Sequence, residues 1–320
     1  MSLPLLAIVV GQLDWRQASA HILAANLWLL GAAVAALGLD SLAAAFRLRL
    51  LHDASRKQPY RQYLRVTVMH AIYLNLLPAR LGELAYLYLL RSDIGMSAGS
   101  AIANLLCQRL LDLIVVAAVF VAATLTIGFT AGSVPAMLTI GAATTAVAVF
   151  LLGRLELLFR LLARIGTTMV RWRRGLGGLV LRTGRQGIQW CTEISGRNLR
   201  AATIGFTLGS WAATFAAVYL TLTAFGLAIT PAEAGFIGAG LALAGVVPVP
   251  TIGGFGISEV SVVGMLIVLG HGAGDAIAVG LVFRLFLFAG QLVICAAITA
   301  LLLVFEAIQT PAISELRPND

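Results

Sequence analysis

Long apolar runs, separated by short polar or basic stretches, dominate this 320-residue sequence. Five runs are near or above the roughly 20 residues that an α-helix needs to cross about 30 Å of hydrocarbon. Charged residues are scarce inside them, so they predict membrane-crossing helices. The five predicted crossings lie at residues 21–46, 98–127, 134–152, 199–225 and 276–305.

Two further apolar segments cannot be ordinary membrane helices, because each contains proline, glycine and glutamate. They are NLLPARLGEL at 75–84 and VVPVPTIGGFGISEV at 246–260. Pro78, Pro248 and Pro250 have no backbone N–H to donate, so each segment must break a helix at a depth where lipid offers no replacement partner. Such backbone is tolerated only where it is buried in protein or lines a cavity. Both segments therefore predict a site inside the membrane.

The composition agrees with a membrane protein. Hydrophobic residues make up 60% of the chain and charged residues only 11%, and the mean hydropathy is +0.95. These values exclude a water-soluble globular domain with an ordinary surface. The predicted fold class is an all-α polytopic membrane protein, with a single membrane domain over residues 1–320.

The net charge of +8 is unevenly distributed. Of the 22 Lys and Arg residues, six fall at 47–65 and ten at 154–200, both between apolar runs. The positive-inside bias predicts that both stretches face the cytoplasm and contact anionic lipid headgroups. Their position between membrane segments argues against a nucleic-acid partner.

The second basic stretch has a pattern of its own. Residues 153–198 mix leucine, isoleucine and tryptophan with arginine at helical spacing. This pattern predicts a cytoplasmic amphipathic helix pair on the membrane surface, with Trp172 and Trp190 near the interface. The alternative is a simple linker.

Charge also decides the placement of the segment at 66–90. If this segment crossed the bilayer, three crossings would put the two basic stretches on opposite faces, against the positive-inside bias. If it dips in from the cytoplasm, turns near Pro78 and returns, both stretches stay cytoplasmic. Each limb is then about 11 to 12 residues, or roughly 16 to 18 Å, which is half a bilayer. We therefore predict a re-entrant hairpin.

The second half of the chain repeats this arrangement upside down, with a hairpin at 236–269 that enters from outside. Arg109 follows Glu83 by 26 positions, and Arg284 follows Glu259 by 25. Inverted repeats with broken helices that meet at the midplane are typical of alternating-access transporters.

The predicted organisation is thus two inverted repeats in one domain. Five crossings and two hairpins place the N-terminus outside and the C-terminus in the cytoplasm, and the first ten residues are too short to span. The parts are repeat 1 at about 21–127, a connecting crossing at 134–152, the cytoplasmic linker at 153–198 and repeat 2 at about 199–305.

Charged side chains inside the apolar segments are the first site candidates. Each costs about 2.5 to 3.5 kcal/mol if left alone in hydrocarbon, so each must pair or face water. We expect Glu83 and Glu259 to be balanced by Arg109 and Arg284 where the hairpin tips meet, and Arg80 to reach a headgroup phosphate. The alternative is that these charges form salt bridges that only hold the broken helices together.

Other polar positions are less specific. Arg109 and Asp112 are three residues apart on one helix face, so a structural ion pair is as good an interpretation as a ligand contact. Asn75 is expected to cap the second limb rather than to contact a ligand. Gly253 and Gly254 permit a turn, and they would also let a headgroup approach bare backbone amides.

Few other motifs carry chemistry. Asp40 is expected to snorkel from a helix end, and His70 has no partner spacing for a metal. Three scattered cysteines predict neither a disulfide framework nor a metal site. No phosphate-binding loop, dinucleotide fingerprint or hydrolase motif occurs, so we expect no cofactor.

Taken together, these motifs resemble the flippase-like domain family typified by the transmembrane part of bacterial lysylphosphatidylglycerol synthase/flippase proteins. That family also has stand-alone members, some of them associated with hopanoid lipids. The motifs that carry the resemblance are Arg47 and Arg49 before Leu50 and Leu51, then Asn75 to Glu83, Arg109 with Asp112, Pro248 to Glu259, and Arg284.

The resemblance implies a lipid flippase fold in the bacterial cytoplasmic (inner) membrane, acting on a phospholipid, aminoacylated lipid or glycolipid, with a homodimer as one option. The chain departs from the family pattern at Gln108, where glutamate is common, at Ile252, where proline is common, and at Tyr86, which is often basic. Because it ends at Asp320 without room for an aminoacyl-transfer domain, lysyl transfer is not expected.

The sequence therefore predicts a lipid transporter rather than an enzyme, in which a buried glutamate could couple to protons. One alternative is an intramembrane enzyme that uses Glu83 and Glu259, although no His, Cys or Ser nucleophile is evident beside them. Another is a non-catalytic partner of a lipid-synthesis enzyme. The predicted substrate-binding residues are Asn75, Pro78, Arg80, Gly82, Glu83, Arg109, Asp112, Pro248, Pro250, Gly253, Gly254, Glu259 and Arg284.

Overall fold

Twelve α-helices make up the part of the chain that the computed structural model describes. This part is residues 15–52, 58–78, 81–129, 134–194, 196–246 and 256–314, without the side chains of 15, 197, 198, 306 and 309–314. The first ten residues and the last six lie outside these ranges. The helices are α1 (Trp15–Leu23), α2 (Leu27–Leu50), α3 (Tyr60–Leu76), α4 (Leu81–Ser92), α5 (Ala98–Ile127), α6 (Val134–Gly153), α7 (Leu155–Val170), α8 (Arg174–Glu193), α9 (Arg197–Ala224), α10 (Pro231–Ala244), α11 (Ile257–Val268) and α12 (Ala273–Ser314).

Five helices are long and apolar enough to cross a membrane, which confirms the predicted polytopic all-α fold. They are Leu27–Leu50, Ala98–Ile127, Val134–Gly153, Leu199–Ala224 and Ala273–Phe305.

The start of the first crossing differs from the prediction. The Asn26 side chain accepts hydrogen bonds from the backbone N–H groups of Trp28 at 3.0 Å and Leu29 at 3.3 Å, so α2 begins at Leu27 instead of residue 21. An asparagine in this position satisfies N–H groups that have no partner within the helix. The residues before it form the separate helix α1.

The helices α3 and α4 form the first hairpin, in which they pack side by side and antiparallel. A Cβ atom added to Gly82 would lie 2.7 Å from the Leu74 backbone nitrogen, so only glycine allows this approach. One turn further from the tip, the rings of His70 and Tyr86 stack with centroids 4.1 Å apart. The helix breaks at Pro78, whose carbonyl accepts from the Leu81 N–H at 3.0 Å.

This hairpin begins and ends at the same end of the helix bundle. The Trp190 indole on α8 donates to the Leu51 carbonyl, just after α2, at 2.9 Å. Gln186, also on α8, accepts from the Gly99 N–H in the first turn of α5 at 3.1 Å. The chain therefore leaves α2 and enters α5 at one end, which we call the basic end.

The predicted amphipathic segment forms α7 and α8, which pack closely through glycines. A Cβ on Gly166 would lie 2.4 Å from the Leu181 nitrogen. Trp172, between the two helices, is 86% exposed, but Trp190 is only 1% exposed. The expectation that Trp190 lies at the interface is therefore wrong, because its indole is needed to satisfy the carbonyl at the end of α2.

The second hairpin, α10 and α11, begins and ends at the opposite end of the bundle. Helix α1 contacts the end of α9, where a ring nitrogen of His21 lies 2.9 Å from the Phe225 carbonyl oxygen. It also contacts the start of α12, where Gln17 donates to Asp275 at 2.6 Å. We call this the α1 end. The 24 residues of α2 separate the two ends by about 36 Å at 1.5 Å per residue.

Each end of the bundle has its own apolar core. The core at the basic end contains Tyr63 and Trp190, and the core at the α1 end contains Leu266 and Phe283. The polar and charged side chains described below lie between these two cores, where the tips of the hairpins also lie.

We expect Gly82→Ala to destabilise the protein by about 1–3 kcal/mol, because the added methyl group overlaps the α3 backbone and forces the hairpin apart. The matched control is Gly264→Ala in α11, where an added Cβ meets nothing within 4 Å, and it should be neutral or stabilise by up to about 1 kcal/mol. Thermal unfolding of the detergent-purified proteins measures both. Equal unfolding temperatures for the two variants would show that the α3–α4 contact is not tight.

Candidate functional site

A cavity of about 500 Å³ lies between the tips of the two hairpins. The first hairpin contributes Leu74, Asn75, Leu77 and Glu83 to its wall, and helices α5, α9 and α12 also line it. The second hairpin contributes residues on both sides of its break, among them Leu241, Val246 and Ser258. Its wall is mostly apolar, with a few convergent polar groups: Asn75, Glu83, Arg109, Asp112, Ser258 and Arg284. The structure thus brings most of the described candidate residues to one place.

Glu83 and Arg109 tie the first hairpin to α5. The Arg109 Nη2 atom lies 2.6 Å from Glu83 Oε1, and the two side chains are 40% and 19% exposed. The other Glu83 oxygen lies 3.8 Å from His70 Nε2. This pair faces the cavity and is not sealed in the protein, so either partner can be reached by a polar ligand.

Asp112 is the most connected acid of the site. Its closest partner is Arg47 on α2, with Nη1 at 2.5 Å, and the Trp211 indole on α9 donates to it at 3.0 Å. Arg109, the neighbour expected from the three-residue spacing, lies further away at 3.6 Å. Asp112 therefore joins three helices, because a buried carboxylate is most stable where several donors converge on it.

Arg47 corrects a prediction. We expected it to face lipid headgroups with the rest of the basic stretch at 47–65, but it is only 6% exposed. Helix α2 continues to Leu50, so Arg47 still lies within the bundle. Its guanidinium also donates to Gln108 at 3.2 Å and to Thr207 at 3.4 Å.

A second chamber of about 210 Å³ adjoins the cavity. Leu74, Arg109, Asp112 and Trp211 line both spaces and so form the wall between them. Asp40 lines the second chamber, where its carboxylate accepts a hydrogen bond from the Ser210 hydroxyl on α9. The expectation that Asp40 snorkels is wrong, because it faces α9 inside the bundle.

The second hairpin uses its glutamate differently from the first. Glu259 is 0% exposed, and its Oε2 atom accepts from the Gly256 N–H at 2.6 Å, which closes the first turn of α11. Gly256 has φ +96°, a conformation that favours glycine. Arg284 lines the cavity and interacts electrostatically with Glu259. Glu259 therefore supports the tip from behind and does not line the cavity.

Three other candidates occupy ordinary structural positions. The Asn75 amide donates to the Ala71 carbonyl of its own helix at 2.8 Å, so it does not provide the expected cap, although it lines the cavity. Pro78 is exposed at the break, and Gly82 packs against α3. The remaining candidates lie outside the described residues: Arg80, Pro248, Pro250, Gly253 and Gly254.

Several side chains of the site were missed or misplaced by the sequence reasoning. His70 approaches Glu83 at 3.8 Å, and Ser258 lines the cavity, so the expectation that no histidine or serine lies near the glutamates is wrong. One signal was available in α9, where hydroxyl groups recur every three or four residues and define one helix face. They are Thr203, Thr207, Ser210 and Thr214.

Fold and site together define a polytopic helical membrane protein with a charged centre between two broken helices. The chain belongs to the family of the lysylphosphatidylglycerol synthase transmembrane region, which matches residues 1–295 and confirms the resemblance inferred from its motifs. Membership indicates a membrane lipid-related function. Searches of curated proteins and of solved structures find no match.

Two of the departures from the family pattern contact each other. The Gln108 amide donates to the Tyr86 hydroxyl at 3.0 Å, in the layer next to Arg47. A neutral hydrogen bond therefore joins these two positions. Ile252, the third departure, lies outside the described residues.

Removal of one member of the Arg47–Asp112 pair should be strongly destabilising. We expect Arg47→Met to lower the free energy of unfolding by about 3 kcal/mol, because it leaves the Asp112 carboxylate without its closest cation. The double change Arg47→Met with Asp112→Leu removes both charges and should recover part of this loss. Thermal unfolding of the detergent-purified variants measures the difference. Arg49→Met, a less buried arginine on the same helix, should stay within about 0.5 kcal/mol of wild type. Equal effects of the two single changes would contradict the pairing.

Proposed function

We propose that this protein moves a phosphate-bearing lipid between membrane leaflets, with the headgroup passing through the cavity between the hairpin tips. The observation that carries the proposal is that two broken-helix hairpins, which start from opposite ends of the bundle, line one cavity with charged groups. Breaks in membrane helices are tolerated only where they face protein or a polar cavity. The fatty-acyl tails would stay in the surrounding lipid.

The size and lining of the cavity suit a headgroup. Its volume of about 500 Å³ falls in the range of small-molecule sites, and its apolar wall carries a small number of charged groups. Arg284 and Arg109 both line it, and a planar guanidinium can hold two phosphate oxygens at once. We propose that the phosphate binds between them.

Arg109 has a second role in this proposal. It already pairs with Glu83 at 2.6 Å, and Asp112 offers an alternative at 3.6 Å. A phosphate that takes Arg109 from Glu83 would release the first hairpin from α5. Headgroup binding and opening of this side of the cavity would thereby be linked through one arginine.

The hairpin geometry supports alternating access. We propose that both hairpins are re-entrant, because each starts and ends at one end of the bundle. The 17 residues of α3 and the 12 of α4 are about 26 Å and 18 Å long, enough to reach the bilayer interior but too uneven for two ordinary crossings. Opening one hairpin would expose the cavity to one face only.

The positive-inside bias would orient the protein. The basic end carries the arginines of α7 and α8, and we propose that it faces the cytoplasm of a bacterial inner membrane, with these arginines on anionic headgroups.

Transport should be lost when the charges of the cavity are removed. In liposomes with fluorescently labelled phosphatidylglycerol, we expect Glu83→Gln, Arg109→Ala and Arg284→Ala each to slow transbilayer movement at least about tenfold, since a charged hydrogen bond is worth about 1.5–3 kcal/mol and about 1.4 kcal/mol is a factor of ten in rate. Arg49→Met is the control and should match wild type.

Two outcomes would contradict this proposal. One is a wild-type rate equal to that of empty liposomes, and the other is wild-type activity in all three cavity variants. Mass spectrometry of the recovered lipids separates transport from catalysis, because transport leaves the lipid mass unchanged. A new lipid product would favour the intramembrane enzyme.

Cysteine labelling tests re-entry of the first hairpin. In a chain whose three cysteines are replaced by alanine, we expect Arg65→Cys and Arg91→Cys to react with an impermeant maleimide from the same face as Arg182→Cys. Gly272→Cys at the α1 end should react from the other face. Labelling of residues 65 and 91 from opposite faces would mean that the segment crosses the membrane completely.

A further inference from the structure

Asp40 differs from the other acidic residues around the two chambers in the groups that bond to its carboxylate. Glu83 pairs with Arg109, Asp112 with Arg47, and Glu259 accepts from the Gly256 backbone N–H. Within the described helices, the hydrogen-bond partners of Asp40 are the hydroxyl groups of Ser210 and Thr214 on α9. A hydroxyl can donate to a carboxylate and can also accept from a carboxylic acid, so these partners fit both protonation states.

The position of Asp40 makes its charge costly. It lies 13 residues after Leu27 and 10 before Leu50, so either end of α2 is about 15 to 20 Å away. An aspartate side chain cannot snorkel over that distance. A carboxylate near the centre of a membrane helix costs about 2.5–3.5 kcal/mol, which a bound proton removes. Such residues commonly mark proton pathways.

The second chamber surrounds Asp40 with groups that respond to its charge. Arg47 on α2, His70 on α3, Tyr86 on α4, and Arg109 and Asp112 on α5 all line it. Helices α9 and α12 contribute neutral groups: Ser210, Trp211, Thr214 and Gln291.

Arg47 connects Asp40 to the headgroup cavity. It lies two turns from Asp40 on the same face of α2 and binds Asp112 at 2.5 Å. Asp40 and Arg47 interact electrostatically, so an ionised Asp40 would compete with Asp112 for the Arg47 guanidinium. Asp112 then becomes available to Arg109, which lies 3.6 Å away and otherwise pairs with Glu83.

We propose that Asp40 is a proton-binding site through which a proton gradient drives lipid movement. The proton binds a carboxylate oxygen of Asp40 from water on one side and leaves to water on the other. Each cycle changes the partner of Arg109 and with it the contact that holds the first hairpin. This inference rests on the proposed lipid transport and adds its driving force.

The first experiment measures lipid distribution in proteoliposomes of the full chain with labelled phosphatidylglycerol, with and without a pH difference. One proton per lipid allows the ratio of labelled lipid between leaflets to shift by up to about tenfold per pH unit. We expect wild type and the control Asp93→Asn to show a shift that reverses with the gradient and collapses with a protonophore. Asp40→Asn should show none.

The second experiment is independent of transport. In infrared difference spectra of the purified full chain, we expect a carboxylic-acid C=O band that disappears as the pH rises. The band should be absent in Asp40→Asn, present in Asp93→Asn and shifted in Asp40→Glu. Asp40→Glu also keeps this test decisive if Asp40→Asn fails to fold.

The results separate the two proposals. Wild-type transport that ignores the gradient overturns proton coupling but leaves lipid transport standing, and no wild-type transport overturns the transport itself. A titrating band that survives in Asp40→Asn, or no band at all, shows that Asp40 is not the proton site. If Asp40→Asn abolishes transport, the infrared band decides whether Asp40 is the proton-binding site.

Discussion

The centre of this protein depends on the ion pair and hydrogen bonds that the Asp112 carboxylate makes with neighbouring helices. It accepts from Arg47 on α2 and Trp211 on α9 and lies near Arg109 on its own helix, which in turn binds Glu83 on the first hairpin. Four charges of alternating sign thus run from α2 to the hairpin tip. In hydrocarbon no single member of this row would be tolerable, because an unpaired charge has no water to solvate it. The row is stable only when all its members are in place.

The broken helices meet this row in a layer between two apolar cores. Each hairpin has its own apolar core behind it, one at the basic end and one at the α1 end. The polar layer lies between the two cores, at the level where the helices break. Stability therefore comes from the two ends, and the middle is free to hold a cavity and charged pairs that can exchange partners.

Much of the fold could be predicted from the sequence. Hydropathy located the five crossings to within a few residues, apart from the start of α2, and proline with glycine located both helix breaks. The contacts were harder. Arg47 was assigned to a loop because its neighbours are basic, and Asp40 to a helix end because the crossing was expected to end at residue 46, whereas α2 continues to Leu50. Both errors have the same cause. The surroundings of each charged residue were inferred from its neighbours in the sequence, whereas its partner in the structure lies on another helix.

The sequence by itself determined which segments enter the membrane, where helices cannot continue and which charges must find partners there. Those properties depend on single residues and their nearest neighbours, through hydrophobicity, missing N–H donors and the cost of charge in lipid. Only the tertiary structure decided that Glu83 faces the cavity while Glu259 is buried. It also decided that Asp112 lies closer to Arg47 than to Arg109. These choices depend on the rotation of each helix against its neighbours, which packing among distant segments sets.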